Sequence, residues 1–353
     1  MAKQRKLRTD RIAVAGLLFF LLIVGLLIVI MTNSDTAAEE SSAADVTTAA
    51  TTTVSTTETT TTTTTTTALP LAEDTDILAR NAVLRSTNTK TVLADHDADA
   101  EIAPASMTKL MTMMVVLDTL TPAQLDGTFV MTQDIITPLR AQNAVCAGFA
   151  NGESCSITDL LYGTMLPSGA DAATALAIYT AGNVDAFADL MNAKAAELGL
   201  THSHFLNPTG LDQVGHYSSA NDIAALLEYA LQNETARKIM STPAHCTAAT
   251  AQHPNGLILQ SIVFMRLGDK TINGLKVCGG KTGFTSNAGQ CLASWAEDTS
   301  GNTFICVAAG CDDPMDAIYD TLTIYDRYSG VCDGIYQRPQ PPAETTTAAD
   351  TAA

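Results

Sequence analysis

The chain has 353 residues, 46% of them hydrophobic, and a formal net charge of −18. That length allows one large domain or two small ones, and the charge argues against a nucleic-acid partner, because phosphates would be repelled. An acidic balance suits a domain outside the cell and leaves the substrate open.

The first element is an uncharged apolar run, Ile12–Met31, preceded by Lys3, Arg5, Lys6, Arg8 and Arg11. At ~1.5 Å per residue the run matches a ~30 Å hydrocarbon core. Its basic flank places residues 1–11 in the cytoplasm. The spacing predicts a single uncleaved transmembrane anchor over 12–31, since the apolar stretch is longer than a signal-peptide core and MTNSDTAAEE offers no clear cleavage site. A cleaved signal peptide is the alternative, and either form exports everything downstream. Residues 32–70 are dominated by Thr, Ala and Ser, with an unbroken Thr run from Thr59 to Thr67. Too little apolar surface is present there to offset chain ordering, which predicts a disordered spacer. The tail, 337–353, has the same composition.

Between them, 71–336 is the segment able to fold. Apolar residues recur at helical spacing over Met107–Thr119, Asp171–Thr180, Val184–Leu198, Ala220–Gln232 and Met315–Tyr328. Strand-like runs occupy Gln290–Ala296 and Thr303–Ala309 around the turn-rich EDTSGN, a predicted hairpin, with Gly274–Gly283 a candidate strand before it. Helices followed by adjacent antiparallel strands and a final helix predict an α+β fold, a sheet covered by helices, rather than a doubly wound parallel one.

Three short motifs carry chemistry. In Ala105-Ser106-Met107-Thr108-Lys109 the serine and lysine are three apart at a helix start, which puts the amine beside the hydroxyl. A serine hydroxyl needs an adjacent base, and a lysine with a lowered pKa can be one. Alone this is a weak signal, equally a helix cap and a surface lysine. Lys281-Thr282-Gly283-Phe284 at a strand end offers a cation, a hydroxyl and a bare backbone to a carboxylate. Pro167-Ser168-Gly169-Ala170-Asp171 is a loop entering a helix, on its own an ordinary N-terminal cap.

Taken in order, Ser-x-x-Lys, a Ser loop and Lys-Thr-Gly form the set found in penicillin-recognising enzymes. The chain resembles the low-molecular-mass D-alanyl-D-alanine carboxypeptidases, also through VLADHDADAEIAPASMTKLMT, ITDLLYGTMLPSGADAA, MNAKAAELGLTHSHFLNPTGLD, HYSSANDIAALL and GGKTGFTSNAGQCLASWA. The resemblance implies a β-lactamase/transpeptidase-like α+β fold with a helical subdomain, acting on peptidoglycan stem peptides and acylated by β-lactams, with no metal or cofactor. It implies Ser106 as nucleophile, Lys109 as its base and Ser168 as proton relay. Lys281 and Thr282 would bind the terminal carboxylate, and the backbone N–H groups of Ser106 and Phe284 would form the oxyanion hole, with Gly283 between. The expected location is the cell membrane, single-pass, with the catalytic domain outside.

Two positions depart from the pattern. Ala170 stands where relatives carry Asn, and Cys311-Asp312-Asp313-Pro314-Met315-Asp316 lacks the Arg that many relatives place after the last strand. A weakly active pseudoenzyme or wall-binding protein is therefore one alternative. A serine β-lactamase-like hydrolase is another, although no Glu-x-x-Leu-Asn segment is present to activate a deacylating water. Better-known members carry a C-terminal β-rich domain and amphipathic tail; neither is expected in the residues after Tyr336, and the N-terminal run is expected to take the anchoring role.

Eight cysteines are present and none forms a C-x-x-C pair, which disfavours zinc or thioredoxin-type chemistry. Cys146 and Cys155 bracket a turn-like AGFANGES and are expected to form a disulfide in an exported domain. Cys278, Cys291 and Cys306 read as buried thiols on strands. The six histidines contain no H-E-x-x-H, against a zinc peptidase, and His216 reads as structural.

Overall fold

The computed structural model describes residues 68–339. The expected anchor at 12–31, the spacer through 67 and the tail after 339 lie outside the described residues. None of the described helices is long and apolar enough to cross a membrane.

Among the described residues, ten strands and ten α-helices alternate irregularly. The first part holds β1 (Leu69–Pro70), β2 (Asn81–Ser86), β3 (Thr91–His96), a one-turn 3-10 helix (Ala105–Thr108), α1 (Lys109–Thr119), α2 (Pro122–Leu125), β4 (Thr128–Val130), α3 (Gln133–Ala141) and β5 (Ser154–Ser156). Then come α4 (Ile157–Met165), α5 (Ala170–Ala181), α6 (Val184–Glu197), α7 (Ala220–Ala230) and α8 (Glu234–Met240). The last part is β6 (Ala244–Cys246), β7 (Ile258–Gln260), α9 (Ile262–Leu267), β8 (Leu275–Thr285), β9 (Gly289–Asp298), β10 (Thr303–Cys311) and α10 (Asp316–Tyr328).

Six strands form one sheet in the order β1-β3-β2-β10-β9-β8, so β8 is an edge. All pairings are antiparallel except β1 with β3. Strand alternation splits the core in two. Along β10, Ile305, Val307 and Ala309 enter a large cluster shared with the helices α1 and α4–α8, while Phe304, Cys306 and Ala308 enter a smaller one under α10. Both sheet faces are therefore covered, which explains why β9 and β10 read as nearly continuous apolar runs. The expected α+β arrangement is present, and the hairpin, the strand before it and the five helical patterns fall within a few residues of their predicted positions.

Local chemistry sets the helix starts. Ser156, Asn183, Ser219 and Asn233 each accept a backbone N–H of the first turn of α4, α6, α7 and α8, satisfying donors that a helix end leaves unpaired. α1 is different: Lys109 through Val116 are all buried, so it has no polar face and runs through the middle of the helical layer.

Candidate active site

Ser106 sits in the 3-10 turn that runs directly into α1. The residue before it, Ala105, has φ 45°, a left-handed conformation that costs a non-glycine residue on the order of 1 kcal/mol. Two glycines pack against that strained turn. A Cβ on Gly210 would lie 1.7 Å from the Ala105 carbonyl oxygen, and one on Gly283 would lie 3.3 Å from the Ser106 nitrogen. The backbone of β8 thus approaches the serine more closely than a larger residue would comfortably allow.

One helical turn on, Lys109 is 2% exposed. Its Nζ is 2.9 Å from Ser106 Oγ and donates to the Thr209 carbonyl at 2.6 Å. Burial pushes the amine down to about 7, against partial opposition from the Asp171 carboxylate and Cys146. Near neutrality Lys109 is therefore divided between an ammonium and a free amine able to take the Ser106 proton. The Thr209 carbonyl is set by Asn207, whose Oδ1 accepts the N–H groups of Thr209 and Gly210 at 3.1 and 2.8 Å.

Ser168, φ 67°, brings its hydroxyl from the loop before α5. Lys281 Nζ donates to Ser168 Oγ at 2.8 Å and to the Thr282 carbonyl at 2.8 Å. Lys281 is 1% exposed, and burial holds its amine well below the ordinary lysine range, with Lys109 and then Arg266 pushing the same way. Two buried amines thus stand behind two serines, each with its pKa lowered toward a range useful for proton transfer.

The cleft over these groups has a volume of ≈ 500 Å³ and is walled by Ser106, Lys109, Ser168, Ala170, Gln142–Val145, Thr209–Asp212 and Phe284–Ser286. Lys281 and Thr282 are not part of that wall: Lys281 stands behind Ser168, and Thr282 is 5% exposed. Gly283 meets the Ser106 turn, and Phe284 is open to the cleft.

Asp171 is not among the residues walling the cleft, but it has a positioning task. Its carboxylate accepts the N–H groups of Ala147 at 2.7 Å and Gly148 at 3.1 Å, and Ala170 donates its N–H to the Val145 carbonyl at 2.7 Å. Together these bonds fasten the 142–148 segment beside the cleft. His216 is structural, as expected. Leu206 N–H donates to Nδ1, so Nε2 carries the proton and donates to Thr108 Oγ1 at 2.9 Å, and burial lowers this imidazole to about 4.

The disulfide expectation is corrected. Cys146 and Cys155 are both free thiols. Cys155 lies on β5 opposite Phe129 and is buried in the helical core, whereas Cys146 belongs to the segment fastened by Asp171. Among the described residues, no group of three His, Cys, Asp or Glu side chains could hold a metal ion. The Asn207–Gly210 turn and the Asp171 anchor escaped sequence reasoning. The Asn-Pro-Thr-Gly turn signal was present, but nothing local tied it to a lysine 100 residues away.

Comparison with known proteins places this site in context. A family model described as D-alanyl-D-alanine carboxypeptidase matches residues 61–312. The D-alanyl-D-alanine carboxypeptidase DacF of Bacillus subtilis is 33% identical over 224 residues, 62% of this chain and 54% of that protein. DacD of Escherichia coli is 35% identical over 248 residues, 67% of this chain and 59% of that protein. The chain thus spans a little over half the length of these relatives. Among solved structures, the Streptomyces K15 DD-transpeptidase superposes with a TM-score of 0.62 at 30% identity, covering 69% of this chain and 94% of that one. Penicillin binding protein 5 from Haemophilus influenzae gives 0.63 at 29%, covering 71% of each.

Proposed function

Since the chain belongs to the D-alanyl-D-alanine carboxypeptidase family, we propose that it removes the terminal D-Ala from peptidoglycan stem peptides through an acyl-enzyme on Ser106. The observation that carries this reading is the 2.9 Å separation of Ser106 Oγ from a buried Lys109 amine lowered to about 7. In the proposed cycle Lys109 Nζ takes the hydroxyl proton while Oγ attacks the penultimate D-Ala carbonyl. The backbone N–H groups of Ser106 and Phe284 receive the oxyanion, each worth ~3–4 kcal/mol in the transition state. Ser168, bonded to Lys281, passes a proton to the departing amine of D-Ala. A water then enters, gives its proton back through the same groups and releases the shortened peptide with Ser106 restored. An incoming terminal carboxylate favours the protonated form of Lys281 and is held by it, with Thr282, Gly283 and Phe284 forming the strand it lies against. The same serine would open and retain a β-lactam.

The uncharged run at 12–31 and the Thr-rich spacer support a single-pass membrane protein whose catalytic domain is held outside the cytoplasm. The weakly active pseudoenzyme or wall-binding protein raised by Ala170, and the separate alternative of a β-lactamase-like hydrolase, are not favoured by the family match or by the names of its relatives. Incubation with a fluorescent penicillin should label the wild type on Ser106 and leave Ser106→Ala unlabelled. The wild type should also release D-Ala from a peptide ending in D-Ala-D-Ala. A folded wild type that takes no label and releases no D-Ala would refute the proposal.

A further inference from the structure

One wall of the cleft is unused by the chemistry proposed above. It is the segment Gln142–Val145, which follows α3 and lines the same cleft as Ser106, Lys109 and Ser168. This segment is fixed at both ends. Ala144 N–H donates to the Leu139 carbonyl at 2.9 Å and Val145 accepts from Ala170 at 2.7 Å, and just beyond it the buried Asp171 carboxylate holds Ala147 and Gly148. The backbone that carries these side chains is therefore held on both sides.

Two carboxamides lie on this wall, and they differ. Gln142 commits its Nε2 to the Pro138 carbonyl at 3.2 Å. Asn143 sits at φ 54°, a left-handed position that Asn adopts more readily than most residues. Its backbone N–H is used by the Arg140 carbonyl at 3.0 Å, but its side chain makes no hydrogen bond among the described residues. Nearby, Ala170 contributes only a methyl group to the cleft.

A substrate peptide laid along β8, an edge strand that reaches the cleft at Phe284 and Thr285, presents its C=O and N–H groups alternately to either side. Groups on the side away from β8 need partners elsewhere in the cleft lining, since a buried peptide group left unpaired costs roughly 1–3 kcal/mol. A carboxamide carries a donor and an acceptor in one plane and so complements a peptide group. We infer that Asn143 binds the peptide group on the acyl side of the scissile bond, and so selects substrates and β-lactams that carry an amide there. This inference rests on the proposed carboxypeptidase reading.

The test uses the full chain in detergent, wild type against Asn143→Gly, because glycine keeps the left-handed backbone and deletes only the carboxamide. Two β-lactams serve as probes: benzylpenicillin, which carries a side-chain amide, and 6-aminopenicillanic acid, which has a bare amine instead. Asn143→Gly should acylate with benzylpenicillin roughly tenfold more slowly, the loss of about one good hydrogen bond. Its rate with 6-aminopenicillanic acid, and its melting temperature, should stay near the wild-type values. An equal fall with both probes, or a fall with neither, overturns the assignment of Asn143 while leaving the carboxypeptidase reading intact. A wild type that acylates with neither probe overturns both.

Discussion

Acylation should titrate on Lys109. An ordinary lysine at pH 7 has only ~3 in 10,000 of its amines free, whereas a group lowered from 10.5 to about 7 is half free. Burial of the side chain in α1 therefore raises the supply of base on the order of a thousandfold at neutral pH. The second-order rate of labelling by a fluorescent penicillin, measured from pH 5.5 to 9, should climb about tenfold per unit at the acid end, bend near 7 and level off above 8. Between pH 5.5 and 8 the rate should differ by roughly 30-fold. Stability should move in the same direction. The folded-state amine binds its proton less tightly than the unfolded one, so the unfolded chain holds more protons between about 7 and 10.5, and unfolding becomes harder as pH rises through that window. Lys281 is shifted the same way and adds to the trend. A labelling rate that is flat across the range, or bends only above pH 9, would refute the claim that a desolvated Lys109 is the base.

Asp171→Asn should lower stability by about 2 kcal/mol, the loss of charge-assisted bonds to Ala147 and Gly148, and should move the labelling inflection below that of the wild type, because Asp171 holds the Lys109 amine up; an unmoved inflection contradicts this coupling. Gly210→Ala should cost roughly 2–4 kcal/mol in denaturant unfolding and suppress labelling, since the new methyl would overlap the Ala105 carbonyl at 1.7 Å from a backbone already at φ +79°; an unchanged midpoint would mean that the turn before Ser106 is less tightly packed than described. Intact-mass mapping without reductant should find Cys146 and Cys155 unpaired. In the native protein the exposed Cys246 should alkylate first, and Cys155, whose burial pushes its thiol up to about 12, should react only on unfolding.

Much of this architecture is local and therefore legible from the chain alone. The three-residue spacing of Ser106 and Lys109 brings hydroxyl and amine together on almost any helical turn. The capping serines and asparagines, and the turn between β9 and β10, likewise act over a few residues. Other elements were hidden. α3 carries Pro138 inside it, a residue that usually argues against a helix. The strand β2, Asn-Ala-Val-Leu-Arg-Ser, shows no clean alternation because both faces of its sheet are covered.

The order of motifs along the chain thus determined the family and named the groups proposed to do chemistry. Only the packed structure decided which groups meet: Lys281 with Ser168 across 113 residues, Lys109 with the Thr209 carbonyl across 100, and Asp171 with a segment whose cysteine was expected to bond elsewhere. Spacing along a chain encodes what one turn of backbone can reach. Desolvation is collective, arising from every surface that closes around a side chain, so the lowered pKa of the base appears only once α1 is enclosed.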